Sequence, residues 1–118
     1  MNLKDKILSK KAEIGVVGLG YVGLSLALEL VKSGFRVHGI DIDGEKVEQM
    51  NRGESSVQDV AGPILKAAVD SEQFRAYQDY GVVSRVDCVI ICVPTPLRQT
   101  RDPDISCIMD ATQEIRRY

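Results

Sequence analysis

The stretch Gly18-Leu19-Gly20-Tyr21-Val22-Gly23 decides how the rest of this chain is read. It has the spacing G-x-G-x-x-G, and its flanks supply a setting. Ile14, Gly15, Val16 and Val17 precede it as an apolar, strand-like segment, and Leu24, Leu26, Ala27, Leu28, Leu30 and Val31 follow as a helix-like one. A second apolar segment closes on Gly39-Ile40-Asp41, which puts the acid 18 positions after Gly23. That is close to the roughly 20 expected of a ribose-binding acid. Strand, glycine turn, helix, strand and acid in this order predict a dinucleotide-binding βαβ unit.

Each residue type has a physical reason to stand where it does. Gly18 permits the tight turn, Gly20 lets the backbone approach a pyrophosphate, and Gly23 lets the helix pack close to the strand. A helix starting near Tyr21 aims its free N–H groups and its positive dipole end at phosphates. Leu19, Tyr21 and Val22 belong to the same turn and are assigned to the cofactor site with the glycines. Asp41 is placed to accept hydrogen bonds from ribose hydroxyls. Asp41 and Asp43 both repel a 2′-phosphate, and no Arg follows Asp41 directly, so NAD is expected over NADP. Lys46 lies one helical turn further, within reach of the ribose edge. FAD and S-adenosylmethionine sites use related architecture and stay open at this level.

The chain has 118 residues, enough for one small domain. A net charge of −2 and an isoelectric point of 5.4, with scattered basic residues, argue against a nucleic-acid or acidic-membrane partner. No apolar run approaches the length of a membrane span. Residues 1–11 are rich in lysine, lack the apolar core of a signal peptide, and read as a short leading helix or a loose arm. Cys88, Cys92 and Cys107 form no disulfide framework, which points to reduced thiols and a cytoplasmic setting. They read as packing residues. With one histidine in the chain, no metal site is expected, and His38 reads as a packed strand side chain.

Strands are predicted over residues 13–18, 35–41, 74–77 and 86–93. Helices are predicted over 21–33, with Gly34 as the C′ residue, and from an Asp43 N-cap to about 51–53. Another covers 60–69, with Pro63 near its first turn. A last one, capped by Asp104, carries Ile105, Ile108, Met109, Thr112 and Ile115 at helical spacing. Residues 79–85 read as a turn with a brief helix. Segment 86–93 is apolar on both faces, as a central parallel strand should be, and Pro94-Thr95-Pro96 ends it. The alternation predicts an α/β fold: a Rossmann-type parallel sheet of order 3-2-1-4 with flanking helices, an incomplete doubly wound domain. The switch point between strands one and four brings the glycine turn and the loop of Val93, Pro94 and Thr95 to one crevice. A rigid turn is an equal explanation of Pro94-Thr95-Pro96 from position alone.

Residues 14–23, Gly39-Ile40-Asp41-Ile42-Asp43, Lys46-Val47, Asn51-Arg52-Gly53-Glu54-Ser55, and Ile91-Cys92-Val93-Pro94-Thr95-Pro96-Leu97 with Pro103-Asp104 carry a more specific likeness. Together they resemble the UDP-glucose/GDP-mannose dehydrogenase family, over nearly the whole chain after the first dozen residues. The Pro-Thr-Pro-Leu form and Pro103-Asp104 are most similar to the branch that oxidises UDP-N-acetylhexosamines. The resemblance implies an NAD-dependent, four-electron oxidation of a sugar C6 alcohol to a carboxylate, through a cysteine thiohemiacetal and a thioester. It implies that residues 18–23 hold the pyrophosphate, that Asp41 and Lys46 sit at the ribose, and that Val93, Pro94 and Thr95 line the nicotinamide side. Two departures stand out: Ser25 where the family usually has proline, and Tyr77-Gln78 in place of a common pair of threonines. Neither touches the glycine turn.

The resemblance also implies that no catalytic residue lies here. The family's catalytic cysteine and lysine belong to later domains, and none of the three cysteines matches. Residues 1–118 are therefore expected to be the N-terminal part of an NAD-binding domain, without the central and C-terminal domains and unable to catalyse alone. The UDP-sugar would be held mostly elsewhere, and the full-length protein is expected to be a homo-oligomer. The open edge of strand four should favour dimers or aggregates. Two other readings remain: a stand-alone nucleotide-binding or redox-sensing module, and a piece of a β-hydroxyacid or hydroxyacyl-CoA dehydrogenase.

Overall fold

Four parallel strands organise the described residues of the computed structural model, which are 2–55, 62–93 and 106–118. They are β1 (Glu13–Val17), β2 (Arg36–Ile40), β3 (Phe74–Tyr77) and β4 (Cys88–Ile91), in the spatial order β3-β2-β1-β4. This is the predicted order. Val16 lies beside Gly39 on one side and Ile90 on the other, and Ile40 lies beside Tyr77. The C-terminal ends of all four strands therefore come out at one end of the sheet.

Local chemistry sets the helices between them. α1 (Leu3–Leu8) leads in, capped by the Asn2 side chain. α2 (Tyr21–Lys32) begins straight after Gly20 and stops at Ser33, where Gly34 takes φ +104°, a conformation other residues adopt only with strain. α3 (Gly44–Asn51) has Asp43 as its N-cap, whose Oδ1 accepts the Lys46 N–H at 3.2 Å. α4 (Gly62–Asp70) carries Pro63 in its first turn. A 3₁₀ turn (Gly81–Arg85) precedes β4, and α5 (Ser106–Arg116) closes the chain. Pro94, Thr95, Asp104 and the start of the predicted 60–69 helix lie outside the described residues.

α2, α3 and α4 cover one face of the sheet. Val16, Val37 and Phe74 from the strands are buried against Leu24, Met50 and Leu65 from these helices. Burying each such side chain contributes about 1.5–3 kcal/mol. The opposite face is covered over Val17 and Ile40 by Val82, Val83 and Ala111.

Three details differ from the sequence expectation. The fourth strand, at its expected place beside β1, is shorter than 86–93, and Cys88, Val89, Ile90 and Ile91 are half-buried rather than enclosed. Its apolar character on both faces is real, but cover on both sides is a long-range property. In α5 Ala111 is buried in the core with Ile115 partly buried against it, while Met109 is 52% exposed. The cysteines are half-buried rather than buried.

Two long-range contacts close the sheet's margins. The Asn51 side chain donates to the Ala76 carbonyl at 2.9 Å and accepts the Ala76 N–H at 2.8 Å. It thereby satisfies the outer edge of β3 as a neighbouring strand would. Asp87, just before β4, accepts from the Glu13 N–H at 2.9 Å and from Lys6 Nζ at 2.7 Å. The Lys6 bond pins α1 beneath the sheet. The same two bonds hold the Asp87 carboxyl below its ordinary range, the Lys6 bond being the larger cause.

Candidate cofactor site

The predicted glycine turn lies at the C-terminal end of β1, between the ends of β2 and β4. Backbone bonds fix it on both sides: the Gly18 N–H donates to the Ile40 carbonyl at 2.7 Å, and the Cys92 N–H donates to the Val17 carbonyl at 2.7 Å. Gly18 has φ +95°, and a Cβ there would stand 2.6 Å from the Cys92 carbonyl oxygen. A Cβ on Gly23 would overlap the Gly18 carbonyl oxygen, so the close approach of α2 to β1 depends on its absence. Gly20 is different in kind, since a Cβ there meets nothing within 4 Å. The space above it is open.

α2 opens onto that space. Its first turn contains no acidic side chain and no side-chain cap, so among the described residues its first N–H groups and positive dipole end are left for a ligand. Tyr21 and Val22 are exposed at the rim, 59% and 64%. Leu19 points the other way. Its side chain is fully buried in the core against α2 and the sheet, so only its backbone belongs to the turn's open side.

Asp41 ends β2 beside the turn. Its Oδ2 accepts the Leu19 N–H at 2.9 Å, and its Oδ1 accepts the Asp43 N–H at 2.9 Å. Lys46 Nζ stands 3.8 Å from Oδ2. The carboxylate is thus oriented by two backbone donors, with lone pairs left over for further donors.

These groups surround a cleft of about 820 Å³. Gly18, Leu19, Gly20, Tyr21, Val22, Asp41, Lys46 and Val93 all line it, so the structure brings together most of the predicted site. Gly23 sits behind the turn as a packing residue, and Pro94 and Thr95 fall outside the described residues. The cleft also has walls the sequence did not reveal. Ile42, 80% exposed, follows Asp41. Tyr80 approaches from the segment after β3, and Cys107, Asp110 and Glu114 from α5. Tyr80 was findable in principle, since the loop after a third parallel strand emerges at the same end. The α5 residues were not, because the inward face of a helix depends on what it packs against. Burial raises the Tyr80 phenol above its ordinary range, assisted by the charges of Glu114, Asp41 and Asp110. It therefore stays a hydrogen-bond donor at neutral pH. Burial also pushes the Cys92 thiol up.

The residues fit a dinucleotide: an open cradle over Gly20, an uncompensated helix start, an oriented carboxylate and a cleft within the usual ligand-pocket range. Residues 12–118 match the NAD-binding domain of the UDP-glucose/GDP-mannose dehydrogenase family. The chain belongs to that family. Its cofactor is accordingly NAD, and the family match begins just after α1.

Among similar proteins, the UDP-N-acetyl-D-mannosamine dehydrogenase of Salmonella typhi is 35% identical over 103 residues, covering 86% of this chain and 24% of the relative. The enzyme of the same name from Methanococcus vannielii is 32% identical over 114 residues, covering 92% of this chain and 26% of the relative. GDP-mannose dehydrogenase from Pseudomonas aeruginosa, solved as a ternary complex, superimposes with a TM-score of 0.83 at 30% identity, covering 86% of this chain and 24% of that one. The chain thus spans about a quarter of the length of these family members. Among the described residues no helix is long and apolar enough to cross a membrane.

Proposed function

We propose that this chain supplies an NAD-holding portion of a nucleotide-sugar dehydrogenase, one that oxidises the C6 alcohol of a UDP-N-acetylhexosamine to the acid. The observation that carries the cofactor assignment is the open space over Gly20 set beside the oriented Asp41 carboxylate. In this reading the backbone of residues 18–23 and the start of α2 hold the pyrophosphate, and Asp41 accepts from the adenosine ribose with Lys46 beside it. Ile42 and Tyr80 offer apolar surface to the adenine, and Val93, Pro94 and Thr95 line the nicotinamide side. NAD, when bound, supplies the hydride acceptor. The residues of this chain bind and orient it, and the bond-making groups come from elsewhere in the protein. The substrate assignment rests on the names of the relatives and on the Pro94-Thr95-Pro96-Leu97 form.

Calorimetric titration tests the cofactor site. NAD should bind, NADP more weakly, and a Gly20→Glu variant not at all, because its carboxylate would occupy the phosphate position without disturbing the turn. Unchanged NAD affinity in that variant would overturn the assignment. The reaction is tested by grafting residues 12–118 into the Salmonella typhi enzyme. NAD-linked oxidation of UDP-N-acetyl-D-mannosamine by the chimaera supports the reading, and a folded, NAD-binding but inactive chimaera refutes the placing of this segment in such an enzyme.

A further inference from the structure

A second cavity, of about 410 Å³, lies away from the cofactor cleft, where the strands begin. Glu13, Arg36, His38, Arg75, Tyr77 and Arg85 are among its lining residues. Register explains the grouping. Glu13 lies beside Arg36, and His38 lies between Gly15 and Arg75. With side chains alternating along each strand, these residues emerge on the same sheet face as Val17 and Ile40. The apolar cover of Val82, Val83 and Ala111 sits over the far ends of the strands, so this face is apolar at one end and cationic at the other.

The cations are uncommitted. Arg36, Arg75 and Arg85 are exposed and form no ion pair among the described residues. Arg75 lies over the Tyr77 ring, 5.9 Å from its centroid. Among the described residues two carboxylates line the cavity, Glu13, engaged by His38 Nε2 at 2.8 Å, and Glu72. The His38 side chain is 9% exposed, and its Nδ1 is a buried polar atom with no hydrogen-bond partner among the described residues. Buried polar groups are ordinarily satisfied, and an orphan one calls for an explanation.

We propose that this cavity is a binding site for a phosphate-bearing small molecule, held by the guanidinium groups of Arg36, Arg75 and Arg85. Guanidinium forks match phosphoryl oxygens two at a time. Three of them around one cavity outweigh the remaining acid, and the volume suits a small metabolite. The site is separate from the NAD cleft and does not depend on the assignment made there.

His38 is the chain's only histidine, so its imidazole signals in a heteronuclear spectrum report on this cavity alone. The experiment titrates inorganic pyrophosphate into the Gly20→Glu chain, in which the glycine turn is blocked. A saturable shift of the His38 signals is expected, weakened about tenfold or more in affinity by adding Arg36→Gln and Arg75→Gln. Both arginines are exposed, and retained dispersion of the amide spectrum confirms that the fold survives. The absence of a His38 shift up to about 10 mM pyrophosphate, or an unchanged affinity in the arginine variant, overturns the proposal. Equal binding of succinate overturns the phosphate class.

Discussion

Asp41 Oδ2 accepts the Leu19 N–H at 2.9 Å, so the acid that ends β2 also holds the glycine turn that leaves β1. One carboxylate therefore has two tasks: it secures the loop around the phosphate position and presents lone pairs to a ribose. A substitution there acts on the fold and on the cofactor together.

Asp41→Ala removes the acceptor for two backbone N–H groups, one of them partly buried. A loss of about 1–3 kcal/mol in unfolding free energy is expected, together with at least about tenfold weaker NAD binding. Asp41→Asn keeps one carboxamide oxygen and should recover part of the stability but less of the affinity. Urea unfolding with calorimetry separates the two effects. Full stability in Asp41→Ala would show that the Leu19 contact does not hold the turn.

The three glycines of the turn should fail in different ways. Gly23→Ala drives a methyl into the Gly18 carbonyl, and Gly18→Ala combines a positive φ with a backbone clash at Cys92. Strained backbone alone costs about 1–3 kcal/mol per residue, so both variants should melt well below the parent. Gly20→Ala meets no atom and should leave the melting temperature nearly unchanged while lowering NAD affinity. Thermal unfolding of the set checks this, and equal melting of all three would contradict the geometry.

The Asp87 carboxyl is held low by the Lys6 bond first and the Glu13 N–H second. A folded-state pKa below the unfolded value contributes stability that is fully present above the unfolded carboxylate pKa, near 3.9. That stability is lost as pH falls through the folded pKa. Asp87→Asn should therefore lower stability most at neutral pH, where the carboxylate's contribution is fully present, and converge on the parent as pH falls below about 4 and through the folded pKa, which flattens the acid limb. Urea midpoints measured across the acid range give the comparison. An acid limb identical in the two proteins would remove Asp87 as a cause.

Asn51→Ala exposes both backbone groups of Ala76 on the edge of β3. Two hydrogen bonds are lost from a partly buried position, and about 1–3 kcal/mol of destabilisation is expected. The freed strand edge should also raise self-association. Light scattering at increasing concentration, compared with the parent, tests the second effect independently of the first.

Much of the fold could be read from residues close in sequence, because the forces that set it are local. A glycine turn after an apolar run, an Asp43 cap and a left-handed Gly34 are steric and hydrogen-bond choices made within a few residues. The handedness of parallel crossovers then leaves one sheet order, β3-β2-β1-β4. The cofactor turn and Asp41 were legible for the same reason.

What the tertiary structure alone decided is where side chains go once distant segments meet. Leu19, inside the motif, is a core residue because the sheet and α2 enclose it. Segment 86–93 is apolar on both faces, yet its strand, at the expected edge of the described sheet, is only half-buried, since cover on a strand's two faces comes from elsewhere in the chain. Lys6 and Asp87 are 81 positions apart, and no local rule pairs them. Arg36, Arg75 and Arg85 were scattered charges in the sequence and His38 a lone histidine. Parallel register and a shared sheet face gather Arg36, His38 and Arg75, with Arg85 joining them from the 3₁₀ turn, because strands place side chains by alternation and neighbours by pairing, and pairing exists only in the folded molecule.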